Sequence, residues 1–149
     1  MMKNQYIIQF IIMVIIGMLF NPMNALANNV NDLYLSLTLF YGGLLMASNM
    51  VWSHEIIHFL TMGHFNKNVF CIGILLSILS VILLRRQLYV GGDQWLKRMI
   101  GHHSTALTTT KKLLENNNNF KNNPKIYRLA KSIVLNQNLE ILYMKTMLK

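Results

Sequence analysis

Three long apolar runs constrain this chain before anything else: Tyr6 to Phe20, Leu33 to about Trp52, and Val69 to Leu84. In a chain of 149 residues with 53% hydrophobic and only 13% charged residues, they are hard to reconcile with a water-soluble globule. A hydrocarbon core about 30 Å thick takes roughly 20 apolar residues in a helix. The runs therefore predict an all-α membrane protein with the lipid bilayer as its first partner. The chain beyond Arg85 reads as a soluble tail.

The first run has Lys3 ahead of it, the breaker Asn21-Pro22 behind it, and then Ala25-Leu26-Ala27, a small-x-small site. Residues 1–27 are thus a signal peptide cleaved after Ala27 or an uncleaved first transmembrane helix. Residues 28–86 form a transmembrane helical hairpin, with Ser53 to Asn68 as its polar connection and Arg85-Arg86 at an interface. A signal-like first segment with Lys3 inside puts the tail outside after two further crossings. The positive-inside rule argues the reverse. The signal takes precedence, because the charge rule counts short loops best, and a multi-pass protein with a non-cytoplasmic tail is expected.

The net charge of +9 is uneven: only Lys3 and Lys67 precede Arg85, and the other basic residues of the fourteen start there. Lys97, Arg98, Lys111, Lys112, Lys121, Lys125, Arg128 and Lys131 are scattered over helical positions with no aromatic ladder between them. That pattern is a solvated helix face and not a nucleic-acid interface. A lone Cys71 excludes a disulfide framework and cysteine-based metal motifs. No small-molecule substrate is indicated.

His54-Glu55-Ile56-Ile57-His58 matches H-E-x-x-H, in which two His at i and i+4 bind zinc and the Glu activates a metal-bound water. A membrane zinc peptidase also needs a third protein ligand and a cleft. His64 offers no recognised spacing, and the chain is too short to enclose a cleft easily. The motif is therefore read as non-catalytic: a metal contact, or polar residues closing a helix at an interface.

The tail, residues 87–149, predicts two helices. Asp93 caps the first, which runs to about Glu115 with Trp95, Leu96, Met99, Ile100, His103, Ala106 and Leu107 recurring at three and four. Asn116 to Asn119 and Asn122-Asn123-Pro124 break it. The second runs from Pro124 to about Met147 with Ile126, Leu129, Ala130, Ile133, Gln137, Ile141, Met144 and Leu148 on one stripe. A short connector makes the pair antiparallel. A turn centred near Phe120 sets His103 opposite Gln137, Met99 opposite Glu140, and Trp95 near Met144.

Met99, His102, His103, Glu140 and Met144 are thus metal-ligand types inside apolar stripes. Imidazole with thioether is a soft donor set that suits Cu(I), while a carboxylate widens the choice toward Cu(II) or zinc. The alternative is an interhelical hydrogen bond between the polar residues, with the methionines filling space and no metal.

At Asp93-x-Trp95-Leu96-x-x-Met99-Ile100-x-His102-His103-Ser104-x-Ala106, and at Leu129-Ala130-x-x-Ile133-x-x-x-Gln137-x-x-Glu140-Ile141-x-x-Met144, the chain resembles the family labelled domain of unknown function 305. The resemblance implies a ferritin-like helical domain and copper binding outside the cytoplasm, with His102, His103, Met99 and Met144 as ligands, joined by Glu140. Gly101 stands where the family usually has Pro, and Ser104 and Thr105 where it often has Met or Gln. This leaves fewer soft ligands. The tail supplies half of a four-helix bundle, so a homodimer through the C-terminal helices would complete it. The expected role is metal sequestration, sensing or handover by a non-enzyme.

Overall fold

The computed structural model describes residues 2–116 and 123–148. The protein is all-α: α1 (Met2–Leu19), α2 (Pro22–Ala25), a 3₁₀ turn (Val30–Asp32), α3 (Leu37–Met62), α4 (Lys67–Arg86), α5 (Gly92–Asn116) and α6 (Pro124–Met147). These group into two compact units. One holds residues 1–21 and 37–90, the other residues 22–36 and 91–149.

In the first unit α3 packs on both α1 and α4. Glycines set these crossings. A Cβ at Gly43 would lie 2.8 Å from the Val14 carbonyl oxygen, and one at Gly73 would lie 3.0 Å from the Trp52 backbone nitrogen. Small residues let helix backbones approach where a bilayer supplies no hydrophobic drive between helices. Asn21 ends α1 by donating from its side-chain amide to the Met18 carbonyl at 2.8 Å. At the far end of α4, Gln87 takes a left-handed conformation, φ 46°, and Tyr41 donates its hydroxyl to the Leu88 carbonyl at 2.8 Å.

Among the described residues two segments are long and apolar enough to cross a membrane, Tyr6–Ala25 and Lys67–Arg86. The expected second span differs from its sequence reading. Instead of ending near Trp52, α3 continues through the polar stretch to Met62, because no helix breaker occurs before Gly63, which takes φ +68°. Only residues 63–66 are left as the connection to α4, whose N-cap Asn66 accepts from the Val69 amide.

In the second unit α5 and α6 pair as expected. Asn123 caps α6 by accepting from the Ile126 amide, with Pro124 in the first turn. The helix starting at Gly92 places Asp93 inside the first turn, where its charge suits the helix dipole, and not at the cap. The core gathers Leu96, Ile100, Leu107, Ile141 and Met144, with Tyr34, Met99, Val134 and Leu148 packed against it. Trp95, Ile126 and Leu129, expected on the buried stripes, are exposed, since two helices bury only their facing ridges. The expected turn at Phe120 falls outside the described residues.

Residues 22–36, read from sequence as the end of the first segment (to Ala27) and the start of the transmembrane hairpin region, group with this helical pair. Asp32, its side chain 5% exposed, accepts from Ser104 Oγ at 2.6 Å and pairs with Lys145 Nζ at 2.5 Å. Ser104 in turn accepts from the Asn28 amide at 2.8 Å. Thr105 Oγ1 donates to the Met23 carbonyl at 2.9 Å. A strap of 15 residues is thereby hydrogen-bonded along α5 and locked to the end of α6.

Candidate metal centre

The tail's metal-ligand residues fall into two groups. Met99, His103, Glu140 and Met144 line one open cleft between α5 and α6, together with Trp95, Leu96, Tyr143 and Met147. His102 does not line it. Neighbouring helix positions point about 100° apart, so its ring is exposed, 5.9 Å centre to centre from that of His103.

His103 is buried and fixed at both nitrogens. Nδ1 lies 2.8 Å from the Met99 carbonyl oxygen and Nε2 lies 2.6 Å from Glu140 Oε2. A carbonyl only accepts, so Nδ1 carries a proton and donates. Nε2 is then the nitrogen that faces the carboxylate, in a hydrogen bond that needs one proton between the two atoms. Protein ligands to metals are usually oriented in this way, with the second ring nitrogen donating to a backbone carbonyl.

The partner of His103 is Glu140 and not the expected Gln137. The register is thus displaced by three residues along α6, nearly one turn. A connector's midpoint does not fix stagger between helices; the packing of Ile100 and Leu107 with Ile141 and Met144 does. Gln137, a neighbour of Glu140 at i−3, carries a buried Oε1 with no hydrogen-bond partner among the described residues.

The His102 imidazole is held below its ordinary pKa of 6.5 by partial burial first, then by the charges of His103 and Arg98. It stays neutral, the form a metal needs, to lower pH than a free histidine. Burial likewise lowers the Arg98 guanidinium, whose Nη2 approaches Met23 Sδ at 2.8 Å.

Among the described residues, no group of three or more His, Cys, Asp or Glu is gathered to hold a metal ion. In the cleft His103 and Glu140 are joined by the thioethers of Met99, Met144 and Met147 and by Tyr143, a mixed set of soft and hard donors. Ser104, read from sequence as a lost ligand, is the anchor of Asp32. Met147, which sequence reasoning left out, lies in the cleft beside Met144, three residues on along α6.

The H-E-x-x-H residues lie in the first unit, on the last turns of α3. Glu55, only 2% exposed, accepts from the Asn66 backbone amide at 3.0 Å and so closes the turn into α4. Its carboxylate is a structural cap there, and a general base between two zinc-bound histidines is not what this placement provides.

These features define an all-α protein whose C-terminal helical pair sets a His-Glu contact among methionines. Residues 91–148 match the family described as Domain of unknown function (DUF305). Over 147 residues the chain is 33% identical to "Uncharacterized protein L153" of Acanthamoeba polyphaga mimivirus, an alignment covering 99% of this chain and 93% of that protein. The chain belongs to one family with that viral protein, and its tail carries the domain of unknown function (DUF305). No solved structure matches it.

Proposed function

We propose that this is a multi-pass membrane protein whose C-terminal hairpin binds a soft transition metal, copper foremost, for sequestration, sensing or handover. The observation that carries this reading is the orientation of His103. With Nδ1 spent on the Met99 carbonyl, Nε2 and Glu140 Oε2 meet in a cleft that also holds the side chains of Met99 and Met144. A metal ion bound there would be held by His103 Nε2 and the Glu140 carboxylate, with the thioethers of Met99 and Met144 as further donors. Two thioethers and an imidazole favour Cu(I); the carboxylate keeps zinc and Cu(II) as alternatives. His102, the other ligand expected from the sequence, lies outside the cleft and is not one of these donors.

The two-unit arrangement supports membrane insertion as a hairpin. Residues 22–36 and 91–149 form one unit, so they share a compartment and the chain between them crosses an even number of times. If α4 crosses, α3 crosses with it, although its Ser48, Asn49 and His54 dilute its hydropathy. With Lys3 on the cytoplasmic side, one crossing by α1 leaves strap and tail outside. On α6, Leu135, Leu139 and Leu142 form an exposed stripe at i, i+4 and i+7. A second copy of the tail is the partner that a ferritin-like half-bundle takes there.

The test is Cu(I) titration against a competing chelator, using the full chain in detergent with His54, His58 and His64 changed to Ala. Stoichiometric copper that His103→Ala abolishes, and that Met99→Leu/Met144→Leu weakens at least tenfold, is the expected result. Copper retained by both variants overturns the assignment.

A further inference from the structure

α1 and α4 each pack on α3, and between them they leave an apolar groove of about 400 Å³. Tyr6, Ile7 and Phe10 of α1 form one wall, Val69, Ile72 and Leu76 of α4 the other, and Val51 of α3 completes the lining. The first turns of α1 and of α4 line it together, so both helices start at the same end of this unit.

Size separates the candidate occupants. From Val69 to Leu76 the wall runs about 10 Å, at the 1.5 Å helical rise. A further helix, about 10 Å across with its side chains, takes roughly 800 Å³ over that length, twice the space present. No helix of a second copy or of another protein therefore enters. A single hydrocarbon chain does. It is far thinner, it bends, and it gains dispersion contacts from a lining whose only polar side-chain group is the Tyr6 hydroxyl.

Charge selects the headgroup. Lys3 and Lys67 are the only basic residues ahead of Arg85. They stand shortly before Tyr6 on α1 and shortly before Val69 on α4, at the end of the groove where both helices start. Lys67 is exposed and makes no hydrogen bond or ion pair among the described residues, and neither does the Tyr6 hydroxyl. Glu55, the one acidic residue of this unit, is buried and spends its carboxylate on the Asn66 amide. With Lys3 on the cytoplasmic side, this end faces the leaflet that carries anionic lipids, and basic pockets between membrane helices on that side take phosphate headgroups.

We propose that the groove between α1 and α4 holds one acyl chain of an anionic phospholipid, with its phosphate paired to Lys67 and hydrogen-bonded by the Tyr6 hydroxyl. The lipid bridges α1 and α4 and so ties the first helix to the hairpin. This inference rests on the membrane insertion proposed above and not on the metal.

The full chain, reconstituted in nanodiscs of equal parts phosphatidylglycerol and phosphatidylcholine and then released into mild detergent for native mass spectrometry, tests it. One phosphatidylglycerol per chain is expected to stay bound, preferred about fivefold over phosphatidylcholine, the order that a lysine near an anionic headgroup supplies. Lys67→Gln, a change at an exposed residue, should remove most of that preference. Ile72→Trp, which fills the groove from an exposed wall position, should lower retention of both lipids, with an unchanged helical circular dichroism spectrum. Equal retention of the two lipids, an undiminished preference in Lys67→Gln, or unchanged retention in Ile72→Trp overturns the proposal. Alkaline carbonate extraction of membranes separates the two readings. A chain that stays with the membrane but shows no preference loses the lipid site alone, whereas a chain released to the supernatant loses the insertion on which that site rests.

Discussion

His103 and Glu140 meet at 2.6 Å across the C-terminal hairpin, one side chain 10% exposed and the other 54%. The imidazole is buried and held from behind by its own helix through the Met99 carbonyl. The carboxylate reaches in from solvent. This asymmetry makes the histidine the fixed element of the site and the glutamate the adjustable one.

Glu140→Gln should therefore leave the fold standing, since the Glu140 side chain is about half exposed and the glutamine amide can still hydrogen-bond the imidazole. Removing the hard oxygen donor should weaken Zn(II) more than Cu(I) at the tail site. Thermal melts and parallel metal titrations check both halves. Equal losses for the two ions would mean that the carboxylate does not discriminate between them.

Gln137→Leu should raise the stability of the metal-free protein. A buried acceptor without a donor costs about 1–3 kcal/mol, and a leucine of similar size removes that cost. The gain should shrink or reverse with copper bound if the amide oxygen faces the ion. Urea unfolding with and without metal measures this.

Lys145→Met leaves the Asp32 carboxylate buried with only Ser104 as partner. Breaking a buried ion pair from one side costs about 3–5 kcal/mol, and the low end applies because Lys145 keeps contact with solvent. Asp32→Leu/Lys145→Met should recover most of the loss. If the single variant melts like the parent, the strap contributes little to the unit.

Acid should loosen the tail through His102. Its folded pKa lies below the ordinary 6.5, so between those two values the unfolded chain binds the proton and the folded one does not. Stability is full above that window, falls as pH drops through it, and levels off below the folded value. Thermal melts at pH 7.5 and 5.5 should show a larger decline for the parent than for His102→Gln. Equal declines would assign the acid sensitivity to other groups.

Topology reporters inserted after Val30 and fused after Lys149 should report the same compartment, because both positions flank one compact unit. Opposite readings would break the proposed pair of crossings by α3 and α4. Reading both positions on the cytoplasmic side would keep the pair but reverse the expected orientation.

The helical pair in the tail was legible because amphipathic spacing and the Asn-Pro break are local signals; α6 begins at Pro124 and ends at Met147 as read. Stagger was not legible. It depends on how side-chain ridges of two helices interlock, and a displacement of three residues exchanged Gln137 for Glu140. The extension of α3 is not legible from polarity, because helices end at breakers and residues 53–62 hold no Gly or Pro. The strap escaped altogether. Its Asn-rich polarity resembles a linker or cleavage region, and its partners lie more than seventy residues away. One signal was available: Asp32 is among only five acidic residues in the chain and sits between apolar Val30 and Leu33.

The contact between Asp32 and Lys145 spans 113 positions, so α3, α4 and α5 are all made between its two members. Long loops close slowly. The strap must wait for its lysine while those helices form. Closure of this pair thus reports that the chain between its two pieces has been completed, and a chain stalled there leaves an open, Met-rich half-core for quality-control proteases to find.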